Sequence, residues 1–142
     1  MRWYDKYVGF KYKHLGNSIV DGIDCFNLCK YVYKQELDID IPYVTSDFCN
    51  IVDDNWYEKT HEQFMLNQAT EEQGWIKVNQ PAKYDLLIMS LGSTHVANHC
   101  SLYVDKDKML QTMAKHRSWI APYGKYYKQY TVGIYRWKSL NN

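Results

Sequence analysis

No basic block, no acidic tail and no dominant sign of charge mark this sequence. Across 142 residues, 17 Lys and Arg stand against 16 Asp and Glu, for a formal net charge of +1. That even scatter offers a polyanion nothing to follow, and nucleic-acid binding loses its support. No apolar run is long enough to span a membrane, so membrane insertion is not expected. The start, Met1 to His14, mixes Trp, Tyr, Lys and Asp without an apolar stretch. No secretory signal is visible there, so a substrate outside the cytoplasm would have to be reached by other means. No Cys-x-x-Cys pair occurs among the four cysteines, Cys25, Cys29, Cys49 and Cys100. Reduced thiols are the simpler reading. A zinc site from Cys25, Cys29, His95, His99 and Cys100 is the alternative, although structural zinc sites usually bring tighter pairs. Repeats and low-complexity tracts are also missing, and the length suits one domain with a real core.

What is present is a high aromatic share, 16%, carried mostly by tyrosine. It suits a groove with polar-tipped walls and equally an ordinary core. The organising stretch is Asp21-Gly22-Ile23-Asp24-Cys25-Phe26-Asn27-Leu28-Cys29. Asp21-Gly22 is a turn signal. Asp24 is a good N-cap, because its carboxylate can accept from the unpaired amides of a first helical turn. Apolar residues then recur at Cys25, Leu28, Cys29, Val32 and Leu37, which predicts a helix over residues 25–37. A cysteine in the first turn of a helix sits where the helix dipole and free amides favour a thiolate, which predicts a lowered pKa for Cys25. The bland alternative is a small buried hydrophobe.

Further along, a short helix is expected within residues 1–7 and a second helix over about residues 55–69, capped by Asp53-Asp54. Residues 38–46 read as a connection, broken by Pro42. Trp75-Ile76-Lys77-Val78 reads as a short strand, and residues 85–89 as a buried one. Residues 98–104 place Cys100, Leu102 and Val104 on one face and His99, Ser101 and Tyr103 on the other. A polar turn at residues 105–108 returns the chain along residues 109–114. One helical turn within residues 122–128 and a closing strand over residues 130–137 complete the pattern. Helices first and strands later predict an α+β fold, with N-terminal helices packed on an antiparallel meander sheet.

A cysteine nucleophile needs a base within reach and a third group to orient that base. His99, near a strand start, and Gln111, on the return strand, come close to facing each other across the hairpin. A glutamine carbonyl can accept from an imidazole N–H and fix its tautomer. Cys25, His99 and Gln111 therefore form a candidate catalytic triad. His14, His61, His95 and His116 compete for the base role, and a strand histidine is often only structural.

The segments Tyr7-Val8-Gly9-Phe10-Lys11-Tyr12-Lys13-His14-Leu15-Gly16 and Asp21-Gly22-Ile23-Asp24-Cys25, with Leu28 and Tyr31-Val32-Tyr33, resemble the NlpC-type cell-wall cysteine peptidases. The likeness is strongest to short bacteriophage tail-associated members. Asn98-His99-Cys100-Ser101-Leu102-Tyr103-Val104 is similar to the family's histidine strand. Lys108-Met109-Leu110-Gln111 is similar to the strand that follows it, and Tyr135-Arg136-Trp137 to the closing segment. Residues 81–89 match loosely, with Tyr84 where glycine is usual. The resemblance implies a papain-like fold in one domain over residues 1–142, with an insertion at about residues 43–74. It implies hydrolysis of amide bonds in peptidoglycan stem peptides, typically between γ-D-glutamate and a diamino acid, with no cofactor and no metal. Cys25 would attack, His99 would move the proton and Gln111 would orient His99. Tyr12 would line the nucleophile pocket and Asp24 would help to bind the substrate's amino end. A product made in the host cytoplasm and carried in a phage tail, among other tail proteins, is the implied setting. The alternative is a tail-tip or assembly component that keeps the fold as a binding module. Departures lie at Phe26-Asn27 and Cys100-Ser101, where the family usually has Ser-Gly or Trp-Gly and Val-Gly. Gln111 stands where histidine is most frequent.

Overall fold

A computed structural model of the chain, described for residues 1–140, is a mixed α+β structure. A small hairpin of β1 (Asn17–Ser18) and β2 (Gly22–Ile23) leads into α1 (Cys25–Leu37). Two short helices follow, α2 (Thr45–Phe48) and α3 (Phe64–Gln68). Then come β3 (Trp75–Val78), β4 (Leu86–Met89), β5 (His99–Asp105), β6 (Lys108–Gln111) and β7 (Trp119–Pro122), with α4 (Lys125–Tyr130) and β8 (Thr131–Trp137) closing the chain. The six longer strands form one antiparallel sheet in the order β3-β8-β4-β5-β6-β7. Only β4 to β7 run as a meander. The chain then crosses by way of α4 and re-enters the sheet between β3 and β4.

The alternation seen in the sequence becomes the two faces of this sheet. Cys100, Leu102 and Val104 join Leu86, Ile88, Leu110 and Tyr135 in the main core, together with Leu28, Cys29, Val32 and Tyr33 of α1. Tyr103, Leu87, Met89, Met109 and Ala121 face the other way, into a smaller core that Tyr127 and Tyr130 of α4 help to cover. The β5–β6 turn is Lys106-Asp107, both at left-handed φ (44° and 59°), which suits a two-residue hairpin and fixes its register.

Helix α1 starts and stops for local reasons. Asp24 accepts from the Asn27 amide at 2.8 Å. At the other end Asp38 turns left-handed (φ 52°), and the Asp38 and Ile39 amides return to the Lys34 and Tyr33 carbonyls. Ahead of it, Gly22 holds φ 138° against Lys13, where a Cβ would strike the lysine side chain.

Residues 55–69 do not form the single helix expected. Trp56–Glu58 is a short 3₁₀ turn, and residues 60–63 before α3 form no regular element. The apolar residues there are too ragged to bury one helical stripe. Trp56 packs instead on His14 and Phe64, and the Thr60 hydroxyl accepts from the Glu62 amide, a local bond that competes with helix. Helix α2 falls where a plain connection was read. Strand β7 also went unread, because Pro122 and its few β-branched residues give a weak signal that an edge strand tolerates.

One ion pair locks the sheet. Asp85 is fully buried, and its carboxylate accepts from Arg136 Nε at 2.9 Å, from Arg136 Nη2 at 2.8 Å and from the Ala82 amide at 2.7 Å. Removing the carboxylate takes the counter-charge from a half-buried guanidinium. Asp85→Ala is expected to lower stability by about 3–5 kcal/mol in urea unfolding. Lys34→Ala, which breaks pairs with the exposed Asp38 and Asp40, should leave the midpoint nearly unchanged. Similar effects of the two substitutions would contradict this assignment.

Candidate active site

Cys25 is the first residue of α1 and is 9% exposed. It lines a cleft of about 360 Å³ with Tyr12, Asp54, Trp56, Tyr57, Asn98 and His99. Tyr12 arrives on an isolated bridge to Ile23, next to the cap of α1. His99 arrives on the first residue of β5. The loop before it is pinned from two sides. Asn98 Oδ1 accepts from the Leu91 amide at 2.8 Å, closing the loop on itself. Gln63 then donates to the His95 carbonyl and accepts from the Ala97 amide, both at 2.9 Å. Gln63 thus ties residues 43–74 to the backbone that aims His99.

His99 and Gln111 meet as the hairpin suggested. Continuing the Leu102–Leu110 register sets Ser101 opposite Gln111, with His99 on the diagonal. His99 Nε2 lies 2.8 Å from Gln111 Oε1, and both side chains are buried. With the glutamine carbonyl accepting, Nε2 carries the hydrogen and Nδ1 is left bare.

The charge state of Cys25 differs from the expectation. The neighbouring Cys100 thiol and burial push the Cys25 thiol well above its ordinary pKa, while His99 pulls in the opposite direction. Both effects favour the thiol over the thiolate, against the pull of the helix terminus. The lowered pKa expected from position in the helix is corrected on this point.

Asp24 is spoken for structurally. Its Oδ1 accepts from the Asn27 amide at 2.8 Å and from the Thr45 hydroxyl at 3.0 Å, and Oδ2 lies 3.4 Å from Asn27 Nδ2. Burial pushes its carboxyl up to about 6, against these hydrogen bonds and the pull of His14. Tyr12 is half-buried, and burial, followed by nearby Cys25 and Asp24, raises its phenol. The structure therefore gathers Cys25, His99, Tyr12 and Asp24 around one end of α1, with Gln111 behind the histidine. His61 and His95 pair with each other, His116 packs on Trp119, and His14 Nε2 donates to the Ile51 carbonyl (2.7 Å). Among the described residues, no three His, Cys, Asp or Glu side chains converge as a metal site.

Sequence reasoning missed Asp54, Trp56 and Tyr57 as cleft walls, since a regular helix was expected there. It also missed Ser101 and Tyr127, which bond to Gln111. The period-2 pattern did put Ser101 on the His99 face, but nothing local linked Tyr127 to it.

A model of the NlpC/P60 family matches residues 9–136. Among curated proteins no match is found. Among solved structures, the chain resembles the NlpC/p60 domain of the peptidoglycan hydrolase SagA, with a TM-score of 0.53 and 19% identity over 92% of this chain and 88% of that one. It resembles an NlpC/P60 family protein from Bacillus cereus ATCC 10987 with a TM-score of 0.60 and 20% identity, over 92% of this chain but only 36% of that one. The P60 domain of an antigen from M. avium subspecies paratuberculosis gives a TM-score of 0.54 and 18% identity, over 92% and 86%. At these identities the structural likenesses establish the fold.

The buried Asp24 carboxyl has a measurable consequence. A folded-state pKa raised from 3.8 to about 6 means that the native chain holds its proton over a range where the unfolded chain has lost it. Stability from this group is therefore greatest below pH 4 and is lost as pH rises toward 6, on the order of 3 kcal/mol in all. Asp24→Asn, which retains a capping acceptor, is expected to flatten that slope in denaturation curves between pH 4 and 7. An unchanged slope would show that another group carries it.

Proposed function

The chain belongs to the NlpC/P60 family, and on that premise we propose that it is a cysteine peptidase that hydrolyses amide bonds in peptidoglycan stem peptides. The bond implied by the sequence resemblance joins γ-D-glutamate to a diamino acid. The family match and the name of one structural relative, a peptidoglycan hydrolase, support the cell wall as substrate. The observation that carries the reading is the 2.8 Å hydrogen bond between His99 and Gln111, behind a cleft that Cys25 and His99 both line.

In this reading Cys25 Sγ attacks the carbonyl carbon while its proton passes to Nδ1 of His99, the nitrogen that Gln111 leaves bare. Because burial and Cys100 favour the thiol, attack and proton transfer fall together on His99. The amides of Cys25 and Phe26 lie in the first helical turn, where no intrahelical acceptor serves them, and can receive the developing oxyanion. The imidazolium then protonates the leaving amine as the C–N bond breaks, leaving a thioester. Water, deprotonated by His99, attacks the thioester, releases the carboxylate and restores the thiol. Tyr12 packs beside the acyl carbon, and Asp24 adds a charge near the substrate's amino end beside its capping role. Residues 1–142 act as one domain, with residues 43–74 as an insertion that walls the cleft.

The setting we propose is a bacteriophage tail, with synthesis in the host cytoplasm and delivery to the wall alongside other tail proteins. It rests on the likeness of residues 7–33 and of Tyr135-Arg136-Trp137 to short tail-associated members. Among the described residues no helix is long and apolar enough to cross a membrane. One observation favours a second reading, a non-catalytic tail component that keeps the fold as a binding module: the thiol of Cys25 is buried and its pKa is raised.

Digestion of defined muropeptides, followed by mass spectrometry, separates the two. Cleavage by the wild type, abolished in Cys25→Ala, is expected, and the product masses name the bond. His99→Ala should cost about 10²–10⁴ in kcat and Gln111→Ala less, roughly tenfold, since it acts only through the base. No cleavage of any stem peptide by the folded chain would favour the binding module. A larger loss in Gln111→Ala than in His99→Ala would overturn the assigned roles.

A further inference from the structure

Behind His99 lies a polar network that the proposed chemistry uses only in part. Gln111 is fully buried, and its amide is engaged at both ends. Its Oε1 receives a hydrogen bond from the Ser101 hydroxyl at 3.1 Å besides its 2.8 Å contact with His99 Nε2. Its Nε2 donates to the Tyr127 hydroxyl at 3.0 Å. The Ser101 oxygen also lies 3.1 Å from His99 Nε2. Tyr127 is held in turn by α4, whose Tyr127 carbonyl accepts from Thr131 Oγ1 at 2.9 Å. The ring of Tyr127 packs on the smaller core.

We infer that Ser101 and Tyr127 are positioning residues: they hold the Gln111 amide with its carbonyl toward His99 and so keep the imidazole in the tautomer whose bare Nδ1 can take the Cys25 proton. This rests on His99 being the base of the proposed reaction. An amide has two orientations, and each dictates a tautomer. With the carbonyl inward, Nε2 of His99 carries the hydrogen. Turned over, the amide would offer N–H to that nitrogen, and the imidazole proton would move to Nδ1. Nδ1 could then accept nothing from the thiol.

The hydroxyls of Ser101 and Tyr127 can each donate or accept, so neither alone forbids the turned-over state. The imidazolium decides between them. Once His99 carries both protons, an inward carbonyl gives its Nε2–H an acceptor at 2.8 Å, a shorter contact than the 3.1 Å that the Ser101 oxygen offers. The turned-over amide would bring two donors together in a buried site. A network already set carbonyl-inward needs no rearrangement when the proton arrives, which is what preorganisation means here. Without the Tyr127 hydroxyl, the Gln111 NH₂ group loses the acceptor it has among the described residues, in a fully buried position, and with it a reason to stay in that orientation. Without the Ser101 hydroxyl, the carbonyl loses its second donor. Ser101 sits across the ladder from Gln111 and Tyr127 comes from a helix, sixteen positions after Gln111, so only the fold brings the clamp together.

The tautomer of His99 can be read directly from imidazole ¹⁵N–¹H NMR spectra of the full chain, whether or not it turns over substrate. The wild type is expected to show the Nε2–H form of the neutral ring. Tyr127→Phe and Ser101→Ala, which each remove one oxygen, should show a mixture of tautomers. In muropeptide digestion, Tyr127→Phe should lower kcat about tenfold, a small part of a general base's usual contribution, with KM unchanged. The same substitution should have no further effect in a Gln111→Ala background. An unaltered tautomer in both variants overturns the inference, as does an equal loss of kcat with and without Gln111. The expected tautomer change in a chain that cleaves nothing as wild type would leave the positioning intact and overturn the peptidase reading instead.

Discussion

The buried carboxylate of Asp24 is the constraint on which the site depends. One oxygen stops the first turn of α1 through the Asn27 amide and receives the Thr45 hydroxyl that opens the next helix. Asn27 extends the tie in two directions, donating from its side chain to the Gly16 carbonyl and accepting from the Thr45 amide. The Asp24 amide also returns to Gly16. The hairpin that ends in Ile23, the helix that begins with Cys25 and the segment that walls the cleft are therefore held by two adjacent polar side chains. Such a knot is costly to leave half made, because every member is buried. That is why Asn27 can stand immediately after Cys25-Phe26 without loosening the helix start. The departure from the family's usual residues there has a structural use.

The same rigidity explains how a resting thiol can serve as a nucleophile. Burial and Cys100 push the Cys25 thiol up, and the imidazole proposed as its base is held by Gln111 with the other ring nitrogen free. Reactivity is then produced on demand, when substrate brings a carbonyl carbon and excludes water, in place of a permanently exposed thiolate. Two sides of the sheet share this work. The α1 face carries Cys25, the proposed nucleophile, and the opposite face, under α4, carries the groups that hold His99, the proposed base. His99 belongs to both because it begins β5, at the end of the sheet.

What could be read from sequence was what depends on neighbours along the chain. Asp24 as a cap, the bounds of α1, the two faces of β5 and the turn at Lys106-Asp107 follow from local chemistry and period. The pairing of His99 with Gln111 followed from that register, although the diagonal geometry with Ser101 between them did not. Residues 43–74 were misread because their shape is set by distant contacts: Trp56 on His14, and Gln63 on the loop before β5. The thiol's charge state was misread for a related reason. Helix position is visible in sequence, whereas the burial of Cys25 and the approach of Cys100 from another strand are products of packing. Strand β8 shows the same limit, since its residues announce a strand but not that it inserts between β3 and β4.

The central claim is that His99 makes a buried thiol reactive. The most direct measurement is the rate of iodoacetamide labelling of each cysteine in the folded chain, read by mass spectrometry at neutral pH, in the wild type and in His99→Ala. This account expects Cys25 to label first, ahead of Cys29, Cys49 and Cys100, and to slow markedly when His99 is removed, while the other three keep their rates. Four cysteines that label alike, or a Cys25 rate indifferent to His99, would contradict it.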